Sequence, residues 1–483
     1  MSQNGKIASG LGWKLLERFG VLGGQFVLQI ILARLLDADL YGVLSLMTIF
    51  TALANVFIQN GLNMSLIQNK EVAVEDYSSV FWINLLIVSV LYGILFFTAP
   101  LIANWFEMPQ IVLPFRVLCL MLFPGAVNAI QIAKIRRNMN FKKVFFSNLA
   151  AIVVSGGVGI AMALLDMGLW ALVMQTLLNI LVACIVMWFT VDFRPRFVCN
   201  MRRVKRLFSF GWKLTLSGVI DTLYQDIRSL FIGKIYNHDT LGYYNRGKQF
   251  PQFLISAVNS AVQSVLLPAM SAEQDDQKKL KQLMRNSVML SSFIIFPLMA
   301  GLAGVAKPLV QFLLTDKWLP CVPYLQIYCF TFAFYPIHTS NLQAINAMGR
   351  SDIYMYLEIA KKALGIGMLL IAVFFFNSPL AIAMTGVISA FTSSLMNALP
   401  NQKLIGYSYL EQMKDILPSM LVALAMFFLV LSVQLLQLPT IAILLLQMIV
   451  GVVTYVALAA ALRLTPFQML LQSVKQFLKK RMN

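Results

Sequence analysis

The chain has 483 residues, of which 59% are apolar and only 12% are charged, whereas soluble domains carry about 25% charged residues. This composition excludes an ordinary soluble globular protein. A bilayer-spanning helix needs about 20 predominantly apolar residues, so the chain can supply a dozen or more spans. The five cysteines and two histidines show no paired short spacing, so neither a metal site nor a disulfide framework is predicted.

Apolar runs of helical length recur along the whole chain and predict an all-α, polytopic membrane protein with about 14 transmembrane helices. In chain order the predicted spans cover residues 15–36, 40–66, 78–103, 110–133, 144–165, 168–190, 209–235, 242–270, 286–306, 321–347, 354–376, 379–400, 415–436 and 439–462. After Thr465, apolar residues recur at helical spacing, and basic residues lie on the opposite side. This pattern predicts an amphipathic helix on the inner membrane surface.

Basic residues lie almost entirely on one side of these spans. With the N-terminus in the cytoplasm, 28 of the 38 lysines and arginines fall in inside segments, and the outside turns hold only Lys307 and Lys317. This asymmetry predicts that both termini are cytoplasmic. The net charge of +18 therefore indicates membrane orientation and contact with anionic lipids, and it does not predict a nucleic-acid partner.

The sequence contains an internal duplication at a shift of 199–200 residues. Gly-Trp-Lys at 12–14 aligns with Gly-Trp-Lys at 211–213, and Gly42 aligns with Gly242. Both copies begin on the cytoplasmic side, so we expect parallel repeats related by an axis along the membrane normal. The predicted organisation is two pseudo-symmetric six-helix lobes and two extra C-terminal helices: 1–200 for helices 1–6, 201–400 for helices 7–12, and 401–483 for helices 13–14 and the amphipathic cytoplasmic tail.

Polar side chains recur on one face of the first, second, seventh and eighth predicted spans, which open the two repeats. Because polar and charged groups inside a bilayer are costly, these faces are expected to meet in a watery cavity between the lobes. The predicted cavity residues are Arg18, Gln25, Gln29, Asn55, Gln59, Asn63, Lys213, Tyr224, Gln225, Arg228, Lys234, Arg246, Gln252 and Asn259.

The deep charges of this cavity are mainly cationic, which favours an anionic solute. Arginine can bind phosphate through two parallel hydrogen bonds, and the amides and hydroxyls suit the hydroxyls of a sugar. Three acids, Glu17, Asp221 and Asp226, are candidates for ion coupling or for charge balance, and the sequence leaves these alternatives open. Lys234 can also extend to the membrane surface instead of facing substrate.

Several short strings carry a family likeness: Gly-Leu-Gly-Trp-Lys at 10–14, Leu-Ala-Arg-Leu-Leu at 32–36, Gly-Leu-Asn-Met-Ser-Leu-Ile-Gln at 61–68, Leu-Pro-Ala-Met at 267–270 and Asp-Lys-Trp at 316–318. In this order they resemble the polysaccharide transporter family of the multidrug/oligosaccharidyl-lipid/polysaccharide (MOP, MATE-like) exporter superfamily, in particular its Wzx-type, colanic-acid-like flippases. The resemblance implies a two-lobed flippase of the bacterial inner membrane that serves lipopolysaccharide or exopolysaccharide biosynthesis.

The resemblance also implies a substrate and partners. The substrate would be an undecaprenyl-pyrophosphate-linked oligosaccharide repeat unit, translocated by alternating access, with its pyrophosphate near Arg18 and Arg228. Membrane lipids and other polysaccharide assembly proteins would be the further partners. The drug-exporting branch carries an aspartate in its first helix, whereas the only acid here is Glu17.

Two other functions compete with this interpretation. A drug or organic-cation exporter would need a net acidic cavity, and a membrane polysaccharide polymerase or glycosyltransferase would need a large loop or a catalytic cluster. The chain also lacks a glycine-rich phosphate-binding loop of the ATP-hydrolysing type. We therefore predict no catalytic residue, no enzyme activity and no cofactor, while a coupling ion, Na⁺ or H⁺, stays open.

Overall fold

The computed structural model describes residues 20–68, 73–138, 141–198, 200–274 and 276–482. Throughout these ranges the regular structure is helical, and they contain no β-strand. The helices are α1 Gly20–Leu35, α2 Ala38–Gln59, α3 Leu62–Gln68, α4 Val74–Trp105, α5 Val112–Cys119, α6 Leu122–Asn138, α7 Phe141–Leu164, α8 Leu169–Thr190, α9 Met201–Ile235, α10 His238–Ala272, α11 Gln277–Gly304, α12 Ala306–Leu314, α13 Val322–Ala333, α14 Tyr335–Ala347, α15 Ser351–Phe375, α16 Pro379–Ile405, α17 Tyr409–Ser432, α18 Thr440–Ala461 and α19 Thr465–Met482.

Nine stretches of the described chain are long and apolar enough to cross a membrane. They are Ala38–Leu66, Glu75–Trp105, Pro109–Arg137, Phe141–Leu164, Leu169–Thr190, Gln277–Gly304, Pro379–Ile405, Tyr409–Leu435 and Thr440–Ala461. The predicted all-α, multi-pass membrane protein is thereby confirmed. The count of fourteen spans and the cytoplasmic termini stay predictions, and α9 and α10, which carry the predicted polar faces of the second repeat, are not among these nine stretches.

The chain forms two compact units, Met1–Gly242 and Tyr243–Asn483. In the first unit, α9 lies along α2 and α3 with their backbones very close together. A Cβ atom added to Gly211 would lie 2.7 Å from the carbonyl oxygen of Gly61. At the same end of α9, the Ser65 hydroxyl donates a hydrogen bond to the Leu207 carbonyl at 3.0 Å. Glycine is required at position 211 because any larger residue there would push the two backbones apart.

The duplicated glycines form a reciprocal contact inside this first unit. A Cβ on Gly42 would lie 1.9 Å from the carbonyl oxygen of His238, and a Cβ on Gly242 would lie 2.0 Å from the carbonyl oxygen of Ala38. His238 stands 200 residues after Ala38, so each copy contributes the same two positions. This exchange of equivalent contacts is what a two-fold relation between two copies of one repeat produces. The division into lobes at 1–200 and 201–400 stays a prediction.

The second unit has a large apolar core and a buried network of amides. Asn341 donates to the Gln412 side-chain oxygen at 2.8 Å, and Asn401 donates to the Asn341 side-chain oxygen at 2.8 Å. All three side chains are fully buried. They join α14, α16 and α17, because a buried amide needs a hydrogen-bond partner on a neighbouring helix.

A helix also occupies the predicted amphipathic tail. In α19, Phe467 and Leu470 pack against the core of the second unit, while Lys475 is exposed. The apolar side of the beginning of α19 is therefore attached to the helix bundle.

Candidate functional site

Helix α9 has three distinct faces, and the first of them is its packing face. Gly211, Gly218, Ser229 and Gly233 are all buried, and the glycines pack on α2 and α3. At 3.6 residues per turn, these positions fall within about 40° of one direction around the helix. This direction fixes how the rest of α9 is oriented in the first unit.

The second face is polar and is turned about 110° from the packing face. We define the polar face of α9 as Lys213, Ser217, Asp221, Tyr224, Gln225 and Arg228. Within it, Lys213, Ser217 and Gln225 are exposed, and the other three are half-buried. The predicted spacing therefore does bring these side chains onto one accessible side of the helix.

The third face is apolar and exposed. It is turned away from the packing face in the direction opposite to the polar face. Trp212 is 44% exposed and Leu216 is 52% exposed, and Ile220 and Leu223 continue the same row. Large apolar side chains at this exposure are suited to lipid. Helix α9 thus presents a polar face and an apolar face side by side.

Arg228 and Tyr224 lie one turn apart on the polar face of α9. The guanidinium carbon of Arg228 is 5.9 Å from the centre of the Tyr224 ring, a range at which a cation is attracted to the face of an aromatic ring. Asp221 is half-buried on the same face. Asp226 is also half-buried, but its position is about 160° from Arg228 around the helix, so it does not share the polar face.

The predicted residues of α1 and α2 divide by exposure. Gln25, Gln29 and Asn55 are half-buried, and Gln59 is exposed. Asn63 is 3% exposed: its amide nitrogen donates to the Ile58 carbonyl, and its oxygen accepts from Asn84. Asn63 is therefore enclosed between helices and has almost no surface left for a solute.

Lys234 lies near the end of α9 and makes local contacts. Its ammonium group donates to the Trp105 carbonyl at 2.6 Å and to the Glu107 carboxylate at 3.1 Å. These contacts agree with the alternative in which Lys234 extends to the membrane surface, and they offset its charge there. The Lys234 ammonium group is therefore bound by protein groups at this end of α9.

In the second unit, Arg246 is 5% exposed. Its guanidinium donates to the Gln249 side chain at 2.8 Å and lies 5.1 Å from the centre of the Trp318 ring. This arginine is held by packing and has little surface left for a solute. Further along α10, Gln252 is exposed and Asn259 is half-buried, so both keep accessible amides.

Two of the predicted site residues, Glu17 and Arg18, lie outside the described residues. Their roles stay predictions from the sequence. The candidate site of the first unit that the structure describes is therefore built around the polar face of α9, with the half-buried amides of α1 and α2 as further candidates.

Comparison with protein families identifies the chain. A family model described as "Polysaccharide biosynthesis protein" matches residues 31–323. The teichuronic acid biosynthesis protein TuaB of Bacillus subtilis is 24% identical over 63% of this chain and 64% of its own length. The succinoglycan biosynthesis transport protein ExoT of Rhizobium meliloti is 25% identical over 66% of this chain and 65% of its own length. The chain thus spans just under two thirds of each of these relatives.

Solved structures show the same fold. The lipid II flippase MurJ in its inward closed conformation aligns with a TM-score of 0.76 at 15% identity, covering 94% of this chain and 98% of that protein. A multidrug resistance MATE family transporter of the MOP superfamily aligns with a TM-score of 0.60 at 15% identity, covering 80% and 98%. At this identity the likeness establishes the fold.

These comparisons confirm the predicted resemblance to polysaccharide transporters of the MOP superfamily. The relatives named above are bacterial, in agreement with the predicted bacterial inner membrane. The family model covers more than half of the 483 residues, and the chain therefore belongs to the polysaccharide biosynthesis protein family.

Proposed function

We propose that this protein is a flippase that moves an undecaprenyl-pyrophosphate-linked oligosaccharide repeat unit from the inner to the outer leaflet of the bacterial inner membrane. It would do so by alternating access, with fourteen spans in two lobes and both termini in the cytoplasm. The step is transport, with no covalent chemistry. Membrane lipids and other polysaccharide assembly proteins would be its partners.

The observation that carries this proposal is the accessible polar face of α9. It holds two cations, Lys213 and Arg228, against one acid, Asp221, on one side of a helix. Charged side chains do not face lipid without a large free-energy cost, so this face needs water, a polar solute or polar groups of the protein beside it. Its net positive charge favours an anion and disfavours the organic cation that a drug exporter of the same fold would carry.

The chemistry of the face fits a sugar pyrophosphate. Arg228 can form two parallel hydrogen bonds to phosphate oxygens, and Lys213 adds a second positive charge. Gln225, Asn55 and Gln59 supply amides that both donate and accept, which suits the hydroxyls of a sugar. Binding of the charged head by α9 would hold the pyrophosphate out of the lipid while it crosses the membrane.

The proposal is tested by expressing the Arg228→Ala variant in a strain from which the gene has been deleted. The deletion strain is expected to accumulate lipid-linked oligosaccharide on the inner leaflet, and expression of the wild-type protein is expected to remove this accumulation. One lost charge-assisted hydrogen-bond pair is worth about 1.5–3 kcal/mol, so Arg228→Ala should reduce translocation by about 10- to 100-fold. Arg228→Lys should recover part of it, because it keeps the charge and loses the two-pronged geometry.

Arg136→Ala is the matched control, since Arg136 is an exposed arginine in α6 and is not part of the polar face of α9. Both variants must be inserted in the membrane at the wild-type level. Equal translocation by Arg228→Ala and Arg136→Ala would remove Arg228 from the site and with it the main support for a phosphorylated substrate.

We propose Asp221 as the acid that couples transport to Na⁺ or H⁺, because it is the acid on the polar face of α9. Asp221→Asn should abolish the dependence of translocation on the sodium gradient or on pH, whichever the wild type shows. Asp226→Asn is the matched control on another side of the same helix. A full gradient dependence in Asp221→Asn would show that Asp221 only balances charge.

A further inference from the structure

A cavity of about 630 Å³ lies at one end of the second unit. Its volume is in the range of about 300–1,000 Å³ that is usual for small-molecule sites. The cavity is formed by the start of α11, the start of α17, the end of α18 and the start of α19. None of its lining residues belongs to the polar face of α9, and it has no part in the proposed transport function.

Three cations and one acid line this cavity: Arg285, Lys414, Arg463 and Asp415. The carboxylate of Asp415 is already paired, because Arg285 donates to both of its oxygens, at 2.8 and 2.6 Å. The Tyr407 hydroxyl donates to the same carboxylate at 2.7 Å. Arg285 and Asp415 therefore form a fixed, neutral pair on one wall.

Lys414 and Arg463 supply the remaining charge, which is +2. Both side chains are exposed. Arg463 has a positive φ of 49°, in the turn where the backbone of Leu464 donates to the Ala459 carbonyl at 3.0 Å. This turn ends α18 and directs the chain into α19, so the position of Arg463 at the rim of the cavity is set by the backbone.

The rest of the lining contains both apolar and polar residues. Leu462, Leu464, Pro466 and Met469 provide apolar surface, and the polar part is lined by Gln282, Asn286, Ser419 and Thr465. The surrounding segments 271–285, 401–414 and 463–483 are all predicted to be cytoplasmic by the distribution of lysine and arginine. The cavity is therefore expected at the level of the inner-leaflet headgroups.

We propose that this cavity binds the phosphate-bearing headgroup of an anionic lipid of the inner leaflet. Lys414 and Arg463 contact the phosphate, and the apolar residues of the lining contact the beginning of the acyl chains. A free phosphate ion offers the same charge without acyl chains, so it would leave the apolar lining residues without a partner. Binding here attaches α19 to the bundle through a lipid as well as through its own apolar contacts.

The test uses the full-length purified protein in detergent, titrated separately with dihexanoyl-phosphatidylglycerol, dihexanoyl-phosphatidylcholine and inorganic phosphate. Each basic residue near anionic headgroups is worth about fivefold in affinity, so the double variant Lys414→Gln/Arg463→Gln should bind phosphatidylglycerol about 25-fold more weakly. The control Lys278→Gln/Lys403→Gln removes two exposed cations from the same predicted membrane face and should bind like the wild type. Met469→Trp, which fills the cavity without changing its charge, should also weaken phosphatidylglycerol binding and covers the case in which the double variant does not fold.

Three results would overturn the proposal. An equal loss in both double variants would show that only the general surface charge attracts the lipid. Binding of phosphatidylcholine as tight as that of phosphatidylglycerol would remove the role of charge. Binding of inorganic phosphate as tight as that of phosphatidylglycerol would make the cavity an ion site and not a lipid site. None of these titrations contains a sugar lipid, so they do not depend on the proposed transport function.

Discussion

The reciprocal glycine contact makes Gly42→Ala the most direct test of the packing in the first unit. The added Cβ would lie 1.9 Å from the His238 carbonyl oxygen, whereas close carbon–oxygen contacts are about 3.3 Å, so the two backbones must separate by about 1.4 Å. Overpacking of this kind destabilises by about 1–3 kcal/mol, and alanine returns about 0.5–1 kcal/mol through its higher helix propensity. Because the contacted atom belongs to the backbone and cannot rotate away as a side chain could, the upper end of the overpacking range applies, and we expect a net loss of about 2 kcal/mol.

Gly93→Ala is the matched control, because Gly93 is also helical and a Cβ there would meet no atom within 4 Å. The assay is thermal unfolding of both variants in the same detergent. At about 2–4 °C per kcal/mol for a unit of this size, Gly42→Ala should melt about 4–8 °C below the wild type, and Gly93→Ala should melt at or above it. Adding Gly242→Ala to Gly42→Ala should lower the melting temperature less than additively, since one displacement relieves both contacts. Equal melting temperatures for the two single variants would refute the close contact.

Three further predictions concern charge, topology and the buried amides. Lys234→Gln and Glu107→Gln should each lower the free energy of unfolding by less than about 1 kcal/mol. In the same melting assay, the double variant should melt no lower than either single variant. A cysteine replacing Lys142 should react with a membrane-impermeant maleimide from the cytoplasm, and one replacing Lys317 should react from outside; the reverse result would invert the topology. Gln412→Leu leaves its buried amide partners unsatisfied and should lower the free energy of unfolding by about 1–3 kcal/mol, whereas Gln402→Leu, at an exposed position, should not.

The duplication shows how far the sequence could predict the fold. A shift of 200 residues identifies Gly42 and Gly242 as equivalent. That alignment does not reveal that each glycine contacts the other copy, because the contact depends on where two helices cross. The amide network around Asn401 and Gln412 was missed for the same reason: each amide is isolated in the sequence, and its partners lie on other helices.

Helical spacing predicts which side chains share a face where a helix is continuous. It does not predict this where the helix is interrupted. On α9, helical spacing places Lys213, Asp221 and Arg228 on one accessible side, and α9 runs unbroken through all three. Asn63 follows Asn55 at the same spacing, but α2 ends at Gln59 and α3 begins at Leu62. The break changes the rotational phase of the chain, so Asn63 turns into the bundle.

The side-by-side polar and apolar faces of α9 impose a condition on any function of the first unit. Lysine, arginine and aspartate at the centre of a membrane helix each cost about 2.5–3.5 kcal/mol, so Asp221 and Arg228 facing lipid would cost about 5–7 kcal/mol together, and Lys213, near the end of the predicted span, would add less. A cost of this size is comparable to the whole stability of a folded domain, which is about 5–15 kcal/mol. The polar face must therefore meet water, a polar solute or polar groups of the protein, while Trp212 and Leu216 beside it meet lipid. A sugar pyrophosphate on a polyprenyl chain satisfies both requirements at once, since its head and its tail differ in the same way as the two faces of α9.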